Sequence, residues 1–466
     1  MSEPVKLARI PARERVVVSV DRPAARWVGS LAVLSGFCWL VVLFARDRAH
    51  PDWDAAGRLG WSLTILAAVA LIARGIFLGR PVTAAHATSA LMVLIVGLAA
   101  HILSYDLFGS LLIAGAAWVL MWPTSARPQP GELPRVWRLV NATQGDPLAP
   151  FAMQALKSYF FSADAKAALA YRTRFGFAVV SGDPLGDEYQ FPQLIADFVA
   201  MCHARGWRIM VLGCSERRTA LWSNDTVVGQ RMLHVPIGRD VVIDLGSFDM
   251  VGRKFRNLRQ AVQRTHNFGI TTEVVAEQDI DCALQAELAE VLFASHSGAR
   301  TERGFSMILD AALERRYPGI QVIIARDESG KVQGFHRYAI AGGGRDVTLD
   351  VPWRRPGAPN GIDERLSVDM MSAAKAAGGQ RLSLAFAAFP DIFDDASRGP
   401  IQTFFYTVIH MGDSVIALES LYRYLRKFHA LGGRRYALVS TRHVLPALVV
   451  LLSLEFVPRR RQLQLD

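Results

Sequence analysis

The chain has 466 residues, a formal net charge of +10 and 51% hydrophobic residues. That apolar share excludes a disordered chain, and four scattered cysteines exclude a disulfide-stapled scaffold. The positive balance turns the surface toward anions, nucleic acid or acidic lipid headgroups, without choosing between them.

Residues 1–26 form a basic tail with Lys6, Arg9, Arg13, Arg15, Arg22 and Arg26. Within 27–122 lie four apolar blocks, Trp27–Ala45, Leu59–Leu78, Ala84–Leu103 and Leu107–Trp122. A spanning helix needs ~20 mainly apolar residues, because each rises ~1.5 Å across a ~30 Å hydrocarbon core. The first and third blocks meet that length. Arg74, near the end of the second, sits where a long side chain can snorkel, and Trp118 and Trp122 anchor the short fourth at an interface. Four spans are expected; two spans plus an interfacial hairpin is the alternative. No small-residue cleavage site follows the first block, so it does not read as a signal peptide. The loop 46–58 mixes Arg with Asp47, Asp52 and Asp54, whereas Arg74 and Arg80, and then Arg127, Arg135 and Arg138, mark the other side. The positive-inside rule then puts the tail and the large C-terminal part in the cytoplasm.

Residues 123–148 begin with PTSARPQPGELP and read as a Pro-rich, semi-extended linker. A first lobe is expected over 149–278. It has a strand at Phe175–Val180, a turn SGDPLG, a helix over 191–205 with Leu194, Ile195, Phe198, Val199 and Cys202 on one face, and a strand at Trp207–Gly213. A second lobe is expected over 279–442. A helix at Ala283–His296 leads to strands at Gln321–Arg326 and Val332–Ile340, joined by the turn Asp327–Gly330. Strands at Asp346–Val351 and Arg381–Ala385 flank a helix over 362–376 that Gly378 and Gly379 end. Mixed sheets flanked by helices, twice over, make the class α+β. The tail 443–466 holds an apolar stretch, Val444–Phe456, too short to span, ahead of Arg459, Arg460 and Arg461. Cys38, Cys202, Cys214 and Cys282 have no metal-ligand spacing, so no metal is expected.

Four segments carry chemistry. In LDVPWRRPGAPNGID, Leu349–Asp363, Asp350 closes a strand, a Pro/Gly loop follows, and Asn360-Gly361 precede a helix whose N–H groups could hold an anion or oxyanion. The acetyltransferase (GNAT) fold puts a cofactor pyrophosphate at this position, but the R-x-x-G-x-G/A loop is absent, so coenzyme A is not indicated. An ordinary turn with Asn360 as N-cap is the plain alternative. In GRKFRNLRQAVQR, Lys254, Arg256, Arg259 and Arg264, with Asn257 among them, fall on or near a helix start, suiting RNA phosphates or a solvated basic face. TERGFSM places Glu302 and Arg303 in a loop, and LYRYLRKF carries Arg423 and Lys427 on a helical stripe.

Six motifs in order, SGDPLG, IDLGSF, GRKFRNLR, ERGFSM, LDVPWRRPGAPNG and LYRYLRKF, resemble the synthase domain of the phosphatidylglycerol lysyltransferase (multiple peptide resistance factor) family. The likeness runs from about Phe151 to Val439. It implies polytopic membrane segments, two tandem GNAT-like lobes, and a bacterial inner-membrane enzyme that needs no cofactor. Such an enzyme moves lysine or alanine from aminoacyl-tRNA to phosphatidylglycerol or a related anionic lipid. The ester is already activated, so the task is to orient a lipid hydroxyl and stabilise an oxyanion, with no covalent nucleophile. The resemblance casts Asp350 as the residue facing the substrate amino group, with Asn360 and Arg354 beside it. Glu302, Arg303, Asp183, Asp244, Arg326 and Asp363 are then expected to bind substrate, and Lys254, Arg256, Asn257, Arg259, Arg423 and Lys427 to bind tRNA phosphates.

Two departures stand out. Trp353 occupies a place where the family carries arginine, with Arg354 next to it, and Glu419 replaces a lysine. Transfer to another membrane or cell-wall precursor, or a non-catalytic lipid-binding scaffold, are therefore the alternatives. His266, His336 and His410 lack a metal-type spacing and read as structural.

Overall fold

The computed structural model describes residues 16–18, 55–77, 79–103, 105–223, 225–295, 301–303, 309–388 and 422–458, with scattered helical positions between 27 and 42. Most of the first apolar block, His410, Glu419 and Arg459–Arg461 lie outside the described residues. Two compact units are present. One comprises Met1–Ala126, Thr173–Ala178 and Asp197–Arg208, the other Arg127–Arg172, Val179–Ala196 and Ile209–Asp466.

The first unit is built on the helices Ala55–Phe77, Ala84–Ile102 and Asp106–Leu120. Small residues let their backbones approach: Gly97 and Gly109 face each other, and Ala90, Ala100, Ala116 and Ala117 are buried. The outward side chains are apolar, with Leu91, Met92, Ile95, Val96, Leu107 and Leu111 all exposed. Among the described residues one helix, Ala84–Ile102, is long and apolar enough to cross a membrane; Ser62–Ile76 and Asp106–Leu120 are apolar but shorter. The expected second span lies in the 23-residue helix Ala55–Phe77, and the expected fourth in the 15-residue helix Asp106–Leu120.

The second unit is organised by a 12-stranded mixed sheet. Its strands are β3 (Ser158–Phe161), β4 (Ala167–Arg174), β5 (Phe177–Ser181), β6 (Leu185–Gly186), β7 (Arg208–Ser215), β8 (Met232–Asp244) and β9 (Thr271–Ala276). They continue with β11 (Ile320–Arg326), β12 (Val332–Ala341), β13 (Asp346–Arg354), β14 (Arg381–Ala388) and β15 (Leu431–Ser440). The short pairs β1 (Val16–Val18) with β2 (Val82–Thr83), and β10 (Thr301–Arg303) with β16 (Phe456–Pro458), stand apart. The order is β3-β4-β5-β7-β15-β8-β14-β13-β12-β11-β9, with β6 paired to β4. Only β13 and β14, joined through the Ile362–Ala376 helix, make a parallel pair that the registers record. β15 is inserted between β7 and β8, antiparallel to both, so one sheet runs through residues of both expected lobes.

Several expected elements sit where their periodicity places them, the Ile362–Ala376 helix among them. Others differ. The expected linker contains a helix, Leu133–Ala142, because Pro134 falls in its first turn, where no N–H is needed, and Val136, Leu139 and Val140 give it a face to bury. β15 lies in a stretch read only for its basic helix, since its pairing partners are distant in sequence. The Val444–Glu455 helix buries Ala447, Val450 and Leu454 and exposes Leu445 and Val449.

The largest apolar core joins the Ile362–Ala376 and Arg256–Asn267 helices to the sheet through Leu258, Val262, Ile362, Leu366, Met370 and Phe428. Gly361 makes this approach possible. It starts the helix at φ +105°, and a Cβ there would stand 2.4 Å from the Ala261 carbonyl oxygen.

Candidate functional site

β12 and β13 pair with one irregularity: Arg337 faces Val351 and Tyr338 faces Leu349, leaving Asp350 as the extra residue. Such a bulge re-aims a side chain and is enriched beside active sites. Asp350 is turned into the interior with no solvent-exposed side-chain surface. Arg337 Nη1 donates to its Oδ2 at 2.8 Å, and the Leu309 N–H donates to Oδ1 at 2.7 Å. The other side of the Arg337 guanidinium grips Glu277, with Nη2 to Oε1 at 3.1 Å. Glu277 also accepts from the Arg315 N–H at 3.2 Å. Burial pushes the Asp350 carboxyl up to about 6, against the pull of Arg337 and the Leu309 N–H. Burial alone would depress the Arg337 guanidinium, but Asp350 and Glu277 outweigh it and raise it. One cation therefore serves two buried carboxylates.

A second network lies at the end of β13. Arg354 approaches Asp363 at 3.3 Å, and Asp363 meets His336 Nε2 at 3.2 Å. His336 Nδ1 lies 3.4 Å from the Tyr338 hydroxyl, which is 3.3 Å from Ser367 Oγ, and Ser367 reaches the Tyr424 hydroxyl. Burial would raise the Asp363 carboxyl, but the hydrogen bond and charge of His336, then Arg354 and Lys427, hold it below the usual range. Lys427 pairs with Glu364 one residue along. Asp363 and Glu364 thus occupy the first helical turn and already answer its dipole, so an approaching anion meets two paired carboxylates there. Asn360 is exposed, and Gly361, not Asn360, occupies the cap position.

Trp353 is buried against Phe335, ring centroids 4.9 Å apart, within an apolar cluster with Leu288, Val322 and Ile324. The arginine absent there has no vacant polar site to fill. The guanidinium beside Asp350 comes instead from Arg337 on the neighbouring strand.

Of the phosphate-contact residues, Lys254, Arg256 and Asn257 are exposed at the start of the Arg256–Asn267 helix. Arg259 turns back to donate to the Gly252 carbonyl at 2.9 Å and to that of Met250. This basic start is tied to the Arg423–Lys427 stretch by His429, which contacts the Lys254 carbonyl at 3.0 Å and the Phe255 ring edge-on. Arg423 is exposed there. The structure therefore gathers Asp350, Arg354, Asn360, Asp363, Lys427 and the basic helix start around one strand–loop–helix unit.

The remaining residues go elsewhere. Arg326 is paired with Glu273 and Glu287, at 2.9 and 2.8 Å. Asp244 accepts from the Ser247 N–H at 2.8 Å and lines a cavity of ≈960 Å³ with Arg217, Arg345 and Arg381. That cavity draws its lining from Ala142, Gln144 and Gly145 of the expected linker and from residues 186–189, 345–346 and 380–381 of both expected lobes. Asp183 joins a cluster around Arg435. Glu302 and Arg303 pair through their backbones with Val457 and Phe456, and their side chains lie outside the described residues. His266 meets Arg365 on the neighbouring helix. Among the described residues no group of three or more His, Cys, Asp or Glu is arranged to hold a metal.

Sequence reasoning missed Arg337 and Glu277. A signal existed for the first: FHRYAI puts an arginine in the middle of a mainly apolar strand, a position that needs a buried counter-ion.

A family model described as phosphatidylglycerol lysyltransferase, C-terminal, matches residues 137–439. The chain is 68% identical over 455 residues to an MprF-like domain protein of Mycobacterium tuberculosis, covering 98% of this chain and 94% of that protein. It is 28% identical over 434 residues to the lysylphosphatidylglycerol biosynthesis bifunctional protein LysX of the same organism, covering 91% of this chain but 34% of that protein. Among solved structures, L-PGS from Bacillus licheniformis superposes with a TM-score of 0.58 at 20% identity, over 72% of this chain and 98% of that one. The C-terminal domain of a putative lysylphosphatidylglycerol synthetase from Agrobacterium fabrum also gives 0.58, at 22% identity, over 70% and 98%. These two likenesses are of fold.

Proposed function

This chain belongs to the phosphatidylglycerol lysyltransferase C-terminal family, and on that premise we propose that it is a membrane-anchored aminoacyltransferase. In this reading it moves an amino acid, lysine or alanine-like, from aminoacyl-tRNA to phosphatidylglycerol or a related anionic lipid. The apolar exposed face of the Ala84–Ile102 and Asp106–Leu120 helices supports the anchor, since Leu91, Ile95 and Leu111 would otherwise face water. The family resemblance suggests a bacterial inner membrane, and the basic residues flanking the apolar blocks support a cytoplasmic side for the C-terminal part.

The observation that carries the proposal is the bulge that turns Asp350 toward Arg337 beside the loop leading to Gly361. The lipid hydroxyl oxygen bonds to the ester carbonyl carbon, the bond to the tRNA ribose oxygen breaks, and the hydroxyl proton ends on that ribose oxygen. Asp350 provides the negative end of the site for the donor's amino group. Arg354 and Asn360, both exposed beside the helix start, provide donors to the tetrahedral oxyanion. Lys254, Arg256, Asn257 and Arg423 are exposed and are assigned to tRNA phosphates, while Arg259 and Lys427 hold the basic start in shape through Gly252 and Glu364. Glu302, Arg303, Asp183, Asp244, Arg326 and Asp363 remain substrate-side assignments of the same reading.

The test is transfer of a radiolabelled amino acid from charged tRNA into phosphatidylglycerol vesicles by the purified protein. Labelled aminoacyl lipid with lysyl- or alanyl-tRNA is expected. A folded protein that labels no lipid with any charged tRNA would overturn the reading in favour of a non-catalytic scaffold.

A further inference from the structure

Three arginines of the first unit come together where its helices end. Arg74 lies in the last turn of the Ala55–Phe77 helix, Arg80 follows in the turn after it, and Arg208 opens β7. Backbone contact joins their segments. A Cβ on Gly206, at φ +64°, would stand 2.3 Å from the Gly79 carbonyl oxygen and 3.0 Å from Arg80 Cα. Trp207 Nε1 donates to the Thr124 carbonyl at 2.8 Å, and the Thr124 hydroxyl donates to the Arg205 carbonyl at 3.2 Å. These bonds tie the turn before β7 to the chain leaving the Asp106–Leu120 helix. Arg80 Nη1 donates at 2.9 Å to the carbonyl of Met121, the C-cap of that helix.

The three cations stand together with no anion opposite. Burial, then the charges of Arg74 and Arg208, hold the Arg80 guanidinium below its ordinary value, and burial, then Arg74, does the same to Arg208. Among the described residues no ion pair joins Arg74, Arg80 or Arg208 to a carboxylate. Arg80 meets a carbonyl and Arg208 the Phe177 ring, 5.6 Å away, and neither partner carries a negative charge. Guanidiniums gathered against their own repulsion suit a phosphate, whose oxygens accept several N–H groups at once.

The surroundings say which phosphate. Arg74 is exposed on a helix that also exposes Leu63 and Ile65. Trp118 and Trp122, both exposed and edge-on at 5.7 Å, flank the helix end at which Met121 receives Arg80. The turn at Phe175 and Gly176 lies beside Pro123 and carries an exposed Phe175 with the Arg174 guanidinium 4.9 Å over its ring. Tryptophans at the end of an apolar helix sit at the headgroup level of a bilayer, where arginines meet lipid phosphates.

We propose that Arg74, Arg80 and Arg208 form a binding site for the phosphate of an anionic membrane phospholipid, a structural ligand and not the acceptor of a reaction. The site belongs to the first unit, not to the one that carries Asp350. Only the source of the phosphate, a bilayer, rests on the membrane-anchored reading; the cation cluster does not. The bound headgroup neutralises the three guanidiniums and clamps the Gly206 turn to the helix ends.

The experiment follows thermal melting of the full-length protein in neutral detergent as dioleoylphosphatidate is added. A ligand that binds the folded state raises the melting midpoint. Phosphatidate is expected to raise it, and dioleoylphosphatidylcholine or inorganic phosphate at equal concentration is not. Arg74→Gln, at an exposed position, and Arg208→Gln are each expected to raise the half-maximal phosphatidate concentration about tenfold. Arg264→Gln, which removes one exposed charge from the second unit, is expected to leave it unchanged. Wild-type response in both Arg74→Gln and Arg208→Gln, an equal loss in Arg264→Gln, or an equal shift with phosphatidylcholine overturns the proposal. A full shift with inorganic phosphate also overturns it, leaving a free-anion site. Phosphatidate has no headgroup hydroxyl to accept an aminoacyl group, so the two readings fail separately. If no lipid is ever labelled while the midpoints move as stated, the transfer reading fails and the lipid site stands.

Discussion

Arg337 and Asp350 form an ion pair at 2.8 Å in which neither side chain has solvent-exposed surface. The pair is unequal, because Arg337 is also shared with Glu277. Two carboxylates around one guanidinium leave a net negative charge in the core, and this imbalance sets what substitutions and pH should do.

Replacing Arg337 with leucine strands Glu277 and Asp350 without a counter-ion. Removing one partner of a buried pair costs about 3–5 kcal/mol, so Arg337→Leu should lower unfolding stability by that order. Urea denaturation followed by tryptophan fluorescence reads it, and a loss under about 1 kcal/mol would show that the cluster does not brace the fold.

The Asp350 carboxyl is raised from an ordinary 3.8 to about 6. The folded protein therefore holds a proton at this site over a range where the unfolded chain has released it. The stability this contributes is fully present below about pH 4 and is lost as pH rises through about 6. Relative to Asp350→Asn, which cannot titrate, the wild type should lose stability across that window and run parallel above it. Denaturation midpoints at pH 4, 5, 6 and 7 for both proteins check this; a wild type that gains on the variant from pH 4 to 6 would reverse the sign.

Gly361 combines φ +105° with an Ala261 carbonyl oxygen 2.4 Å from where a Cβ would stand. Gly361→Ala must therefore move the Arg256–Asn267 helix or the start of the Ile362–Ala376 helix. A destabilisation of about 1–3 kcal/mol is expected, read by thermal melting. It should come with loss of aminoacyl transfer, since the same displacement separates Asn360 and Arg354 from the basic helix start. A variant with wild-type melting and transfer would show that the close approach has no role.

Much of the site's scaffold was legible from sequence. The strands read at Val332–Ile340 and Asp346–Val351, the Pro/Gly loop, and the glycines at Gly378 and Gly379 delimit two strands and a helix using local information alone, with ends at Ala341 and Arg354 in the structure. What each polar side chain does was less legible. Asn360 reads as a cap because of its type, yet Gly361 holds that position; Trp353 reads as a missing cation, yet lies in an apolar cluster. A residue's neighbours across a sheet are not written in its own segment.

By itself, the amino-acid order determined that apolar blocks precede a basic mixed α/β part and that the strand carrying Asp350 precedes a helix, because hydrophobic period and turn chemistry act within a few residues; that this strand runs past Asp350 to Arg354 was not legible. Only the tertiary structure decided that β15 lies between β7 and β8, that Arg337 and not a residue at 353 meets Asp350, and that Arg435 gathers Asp146, Asp183 and Asp240. Arg435 and Asp146 are 289 positions apart. Contacts of that kind are selected by the burial of charge during chain collapse, which leaves no local pattern to read.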